Sequence, residues 1–180
     1  MRPSVKSTSA RTFVLIPVAV AAEQAIFRRR LRPAWSPLLI TGYLGYLAAG
    51  RYRLRRAGGP AGMSQGMPER LIATGPYALT RNPMYLGHLT FLTGLAMATR
   101  SPLAAVAAAA HAPWFAARVR RDERRLRRKF GATYDGYCTR VPRWIPGARL
   151  HTLPAPYTPV GTTSPASQAV SAPVCGAWHR

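Results

Sequence analysis

Two short stretches hold most of the residues that could do chemistry. "LIATGPYALTRNPMYLG" (71–87) carries Tyr77, Asn82, Pro83 and Tyr85, and "RVRRDERRL" (118–126) carries Arg118, Asp122 and Glu123. Asn82-Pro83 is a helix-start signal, with Asn as N-cap and Pro at the first helical position. A helix start also leaves free N–H groups and a positive dipole end, which suit a carboxylate. Tyr77 and Tyr85 read either as aromatics anchored at a membrane interface or as ring faces that attract a cation. Arg118 and Asp122 are four apart on one helical face. They read either as a simple ion pair or as two separate contacts, Arg118 for an anion and Asp122 for a hydroxyl or ammonium. The chain has only five Asp and Glu residues, so the adjacent pair Asp122-Glu123 stands out among the arginines.

What must position these residues is apolar. The 180 residues carry 26 Lys+Arg against five Asp+Glu, a formal charge of +21, which calls for an anionic surface nearby. The arginines cluster at the ends of uncharged stretches, as in a membrane protein, and a soluble nucleic-acid binder is disfavoured. Residues 33–50, 82–99 and 101–117 each approach the roughly 17–25 residues of a membrane-crossing helix. A weaker span, 12–27, contains Pro17 and Glu23, a carboxylate that must be paired or near an end. It leads into "EQAIFRRRLR" rather than a small-residue cleavage site, so it is not read as a cleaved signal peptide. The expected fold is therefore all-α, a multispan integral membrane protein of about four transmembrane helices.

Arg100-Ser101-Pro102 separates two spans and predicts a tight helical hairpin (82–99/101–117), with Gly87, Gly94 and "AAVAAAA" letting its two backbones approach. A basic amphipathic helix is expected to follow. Its apolar face is Leu126, Phe130, Tyr134, Tyr137 and Val141, lying among headgroups, with Gly131 and Gly136 arguing against one unbroken helix. The chain thus divides into membrane segments at 1–56, a core at 57–146 that begins with the Gly/Pro-rich loop 57–68, and a flexible tail at 147–180. Arg140 and Arg143 read as surface charges, Arg140 able to fold back over the site. His88 and His111 read as interhelical hydrogen-bond partners. Cys138 and Cys175 suggest no disulfide, and no Cys/His spacing suggests a metal. The Lys/Arg count favours cytoplasmic placement of 51–81 and of everything after 118, although the four arginines in 28–32 oppose it.

From residue 69 to 146, "TGPYALTRNPMYLG", the hairpin, "RVRRDERRL" and "KFGATYDGYCTRVPRWIP" resemble, in order and spacing, the isoprenylcysteine carboxyl methyltransferase and phospholipid methyltransferase family of integral membrane enzymes. The resemblance implies methyl transfer from S-adenosylmethionine to a lipid-like acceptor. It assigns the cofactor pocket to Glu69, Arg70, Leu71, Ile72, Tyr77, Asn82, Pro83, Met84, Tyr85 and Asp122, and it turns Arg118 toward the substrate. Where the family more often has His, this chain has Asn82. The first acid of the family's Glu-Glu pair is the shorter Asp122, and Glu123 stands able to share its role.

The expected function is a membrane-bound S-adenosylmethionine-dependent methyltransferase. Arg118 and Glu123 are its catalytic candidates, its acceptor is a lipophilic small molecule or lipid, and its site faces the cytoplasm of a bacterial membrane. The rival readings are a non-enzymatic basic membrane protein and a membrane oxidoreductase of related helical architecture.

Overall fold

The computed structural model describes residues 8–58 and 67–144. The expected tail at 147–180 with Cys175, the end of the core at 145–146 and most of the 57–68 loop lie outside the described residues. Those described are all-helical. Helix α1 (Thr8–Phe27) passes through a π turn at Arg11–Leu15, and a 3-10 turn at Pro33–Trp35 leads into α2 (Ser36–Arg56). Short α3 (Pro76–Leu79) precedes the long pair α4 (Pro83–Thr99) and α5 (Pro102–Phe130), and α6 (Ala132–Arg140) completes the order.

Among the described residues, one helix is long and apolar enough to cross a membrane, and it is α1, the weakest of the expected spans. The other expected spans are helical, but their limits differ. Helix α2 continues through "RYRLRR" to Arg56, and α4 holds 17 residues. Helix α5 runs 29 residues without a break, so the basic segment after 118 is the same helix as the second arm of the hairpin. Gly131 does end it, at φ +51, while Gly136 lies inside α6. Only one of the two glycines is at a turn, because only Gly131 adopts the left-handed φ that a side chain resists.

The hairpin forms as expected, and Pro102 opens its second helix. Arg100 closes the turn in left-handed backbone, and Ser101 is the N-cap, its Oγ accepting from Ala104 N at 3.0 Å. The same hydroxyl donates to Glu23, which also sits 3.8 Å from Arg29. Glu23 is thus partnered near the end of α1, as a carboxylate in an apolar helix must be. The last carbonyls of α4 are met in sequence by Arg32 N on Ala98, Gln24 Nε2 on Thr99 and Arg29 Nη1 on Arg100. Two arginines of the 28–32 loop, Arg32 by its backbone N–H and Arg29 by its side chain, therefore cap a helix end.

The glycines of α4 do not serve the hairpin. Gly87 and Gly94 face α2: a Cβ on Gly87 would stand 2.8 Å from Gly42 O, and one on Gly94 2.5 Å from Leu39 N. Gly42 returns the contact against Phe91. Seven residues is two turns, so Gly87 and Gly94 form one seam, and across it the α2 and α4 backbones touch. Around them Val20, Phe91, Leu92, Leu95 and Ala104 form the core shared by α1, α4 and α5. His88 and His111 bond within their own helices, Nδ1 to Met84 O and to Ala107 O, each at 2.7 Å, and not between helices as expected.

Candidate active site

A cleft of about 630 Å³, counting the solvent in its mouth, opens at the start of α4. Its walls come from distant parts of the chain. The end of α2 supplies Arg53 and Ala57, and the segment before α3 supplies Arg70, Leu71 and Ile72. Tyr77 comes from α3, Asn82, Pro83, Met84 and Tyr85 from the first turn of α4, and Asp122 and Glu123 from α5. Leu126, Tyr134 and Tyr137 close the remaining side.

Two residues of the expected set lie elsewhere. Glu69 is exposed, and its carboxylate packs on Gly58. Arg118 lines a second depression with Arg121, Asp122 and Arg125, so that Asp122 is common to both.

Asn82 occupies the N-cap position of α4, but its side chain does not cap the helix. Its Nδ2 donates instead to Arg143 O at 3.1 Å, beside Thr80 Oγ1 donating to the same carbonyl at 3.1 Å. The first turn of α4 therefore presents N–H groups that no cap side chain covers, a positive helix end aimed at the cleft.

Tyr85 lies between the two charged residues that sequence spacing had paired. Its hydroxyl donates to Asp122 Oδ2 at 2.8 Å and accepts from Arg118 Nε at 3.0 Å. The ion contact of Asp122 is with Arg125, at 4.0 Å. The direct Arg118–Asp122 pair is thus replaced by a relay through a phenol. Phe115 packs on the Tyr85 ring at 5.2 Å, and Trp114 lies 5.5 Å from the Arg118 guanidinium, fixing both partners.

Glu123 is surrounded by cations. Arg143 holds it in two bonds, Nε to Oε1 at 3.1 Å and Nη2 to Oε2 at 2.6 Å, and Arg81 Nη2 approaches Oε1 at 3.4 Å. The bond to Glu123 raises the Arg143 pKa above its ordinary value. It is Arg143, not Arg140, that folds back: Arg140 Nε bonds Gly136 O within its own helix.

Sequence reasoning missed Arg53, Arg81, Tyr134 and Tyr137 as cleft residues. Arg53 is one of four arginines in "RYRLRR", and its sequence does not distinguish it. It stands beside the Tyr77 hydroxyl, whose pKa rises through burial and is partly held back by that guanidinium. Tyr134, Tyr137 and Val141 were visible as an apolar face, but that face packs on Leu71 and Ala73. Tyr137 Oη donates to Tyr77 O at 2.6 Å.

Burial pushes the Tyr137 hydroxyl above the ordinary value of 10.0. A group with a raised folded-state pKa contributes stability that is intact below its unfolded value and is lost as pH rises toward the folded one. Phenolate absorbance at 295 nm is therefore expected to lag behind that of free tyrosine above pH 10, with a delayed step coinciding with loss of helix. A titration matching free tyrosine throughout would contradict this.

The fold and the cleft define a helical scaffold that carries a polar site at the mouth of an apolar helix. The chain belongs to the phospholipid methyltransferase family, whose model matches residues 33–133, more than half of its length. Its curated relatives include the nickel-cobalt-cadmium resistance protein NccN of Alcaligenes xylosoxydans xylosoxydans, 36% identical over 81 residues (44% of this chain, 38% of that protein). The cobalt-zinc-cadmium resistance protein CzcN of Cupriavidus metallidurans is 32% identical over 117 residues (64% and 53%). Protein-S-isoprenylcysteine O-methyltransferase B of Arabidopsis thaliana is 34% identical over 79 (43% and 40%). The chain spans about half or less of the length of these relatives. No solved structure matches it.

Proposed function

We propose that this chain is a membrane-embedded methyltransferase that takes its methyl group from S-adenosylmethionine and passes it to a lipophilic acceptor. The observation that carries the reading is Asp122, a carboxylate only 6% exposed, held by Tyr85 on the wall between the cleft and the arginine-lined depression. A buried carboxylate at the junction of two clefts suits a group that must orient two reactants.

The residues present fit the donor. The uncapped first turn of α4 offers N–H groups to its carboxylate. Asp122 Oδ1, outside the Tyr85 bond, can accept from a ribose hydroxyl or the ammonium. Leu71, Ile72, Met84 and Leu126 offer apolar surface to the adenine, and Tyr77 and Tyr85 offer ring faces to a cation. When bound, the donor supplies an electrophilic methyl group on a cationic sulfur.

What remains for the protein is orientation and dehydration. Arg118, on the far side of Tyr85, is assigned to the acceptor. Glu123, with both oxygens bonded to guanidinium groups, is assigned to holding the wall rather than to moving a proton. We assign α1, α2, α4 and the first half of α5 as four spans, with the cleft facing the cytoplasm of a bacterial membrane. The exposed Val14, Val18, Ile40, Leu44 and Val106 support lipid contact on several of these helices.

The test is calorimetric titration of S-adenosylmethionine into detergent-purified protein, followed by transfer of labelled methyl into a lipid extract. Saturable binding with label in the organic phase is expected, and Tyr85→Ala is expected to weaken binding about ten-fold, the worth of a charge-assisted hydrogen bond. No saturable binding by the wild type would defeat the reading.

A further inference from the structure

Helix α6 and residues 141–144 are attached to the rest of the chain at two ends and along one face. At one end Gly131 is both the last cap of α5 and the first of α6, at φ +51, ψ −131, with open space where a Cβ would stand. At the other, Arg143 bonds Glu123 twice, its carbonyl accepts from Thr80 and Asn82, and Pro142 O accepts from Arg81 N at 3.0 Å. Between the two ends, Tyr134 and Tyr137 form a wall of the cleft, and opening must also break the Tyr137 Oη bond to Tyr77 O at 2.6 Å and part this face from Leu71 and Ala73. The segment is a strap with a pivot and a fastening.

The fastening is asymmetric. The Arg143 side chain is 44% exposed and that of Glu123 9%. A buried carboxylate stripped of its cation is strongly destabilising. Glu123, however, has a second one, since Arg81 stays at 3.4 Å with a side chain only 12% exposed. Arg143 can swing into water, where a guanidinium is well solvated, without leaving Glu123 alone.

We infer that Arg143 is a positioning residue that latches the 132–144 strap over the cleft and governs how long the donor stays there. This rests on the reading of the cleft as the donor site. Arg143 itself lies outside the cleft lining. It acts through Glu123, through the carbonyl grip on Thr80 and Asn82 beside the first turn of α4, and through the tyrosines that the strap carries. Opening at Gly131 would remove Tyr134 and Tyr137 from the cleft together, uncovering it for exchange.

The experiment compares wild type, Arg143→Gln and Arg143→Lys in detergent, with two readouts. Hydrogen exchange of a peptide covering 132–144, measured without donor, is expected to rise in Arg143→Gln and less in Arg143→Lys, which keeps the charge but not the paired bonds. With donor, release from Arg143→Gln is expected to be about ten-fold faster. KM for S-adenosylmethionine should rise correspondingly, and kcat should fall by less. Exchange equal to wild type, with donor binding intact, overturns the latch alone. Faster exchange with unchanged donor release makes Arg143 merely structural and overturns its positioning role. Absence of donor binding in the wild type overturns the donor reading and this role with it. A thermal melt of Arg143→Gln, cooperative as in wild type, separates these outcomes from misfolding.

Discussion

Asp122→Ala should weaken S-adenosylmethionine binding about 100-fold and bring methyl transfer below detection, while the protein still elutes as a single species from detergent. The substitution removes the acceptor of the Tyr85 hydroxyl and deletes the negative charge at the junction of the two clefts. Each charge-assisted hydrogen bond lost is worth about 1.5–3 kcal/mol, so two of them account for about two decades. Asp122→Asn separates shape from charge. It can still accept from Tyr85 but cannot attract an ammonium, and about a ten-fold loss is expected. Tyr85→Phe breaks the relay from the other side, freeing Arg118 as well as Asp122. Calorimetric titration of the three variants ranks them, and wild-type affinity in Asp122→Ala would reject the assignment of the donor site.

The second large effect is on folding. Gly94→Leu, and separately Gly87→Leu, should abolish a monodisperse detergent-purified species, because a Cβ at either position meets α2 backbone rather than a movable side chain. Overpacking that cannot be relieved by a rotamer change lies at the upper end of its usual range, about 3 kcal/mol or more, comparable to a large part of a small domain's stability. Gly45→Ala is the control. It sits on α2, where an added Cβ meets nothing within 4 Å, and the gain in helix propensity should leave stability equal or higher by about 0.5–1 kcal/mol. Size-exclusion profiles and thermal melts read both. A folded Gly94→Leu with wild-type melting would show that α2 and α4 do not touch as described.

Helix α4 and the hairpin turn could be read from local signals, because Pro83 and Pro102 each open a helix and Ser101 caps its own, although the Asn82 side chain, at the N-cap position, goes to Arg143 O instead. The constellation around Tyr85 was only half visible. Spacing put Arg118 and Asp122 on one face, but a hydroxyl from another helix inserting between them is a tertiary event that no helical periodicity reports. The glycine seam was misassigned for a related reason. Gly87 and Gly94 announce a close backbone approach without naming the neighbour, and the helix adjacent in sequence was the wrong one. The apolar face of Tyr134 and Tyr137 was found by periodicity and given to the membrane. A face that covers a cleft and a face that lies on lipid have the same pattern, and only the Gly131 turn distinguishes them. Arg53 and Arg143 were lost in a crowd of like residues, since charge count does not say which guanidinium folds inward.

The unbroken course of α5 has a consequence for how this chain can vary. From Pro102 to Phe130 it extends about 43 Å, and every residue added or removed rotates the remainder of the helix by about 100°. The alanines at 107–110 are partly or largely exposed, and most tolerate a change of side chain. They tolerate no change of number. Deleting one of them would swing Asp122 away from Tyr85 and Glu123 away from Arg81 and Arg143 in a single step, although the deleted methyl group touches none of these. Substitutions should therefore accumulate at most of these positions, whereas insertions and deletions should be absent from them and confined to the segments before Pro76 and beyond Arg143.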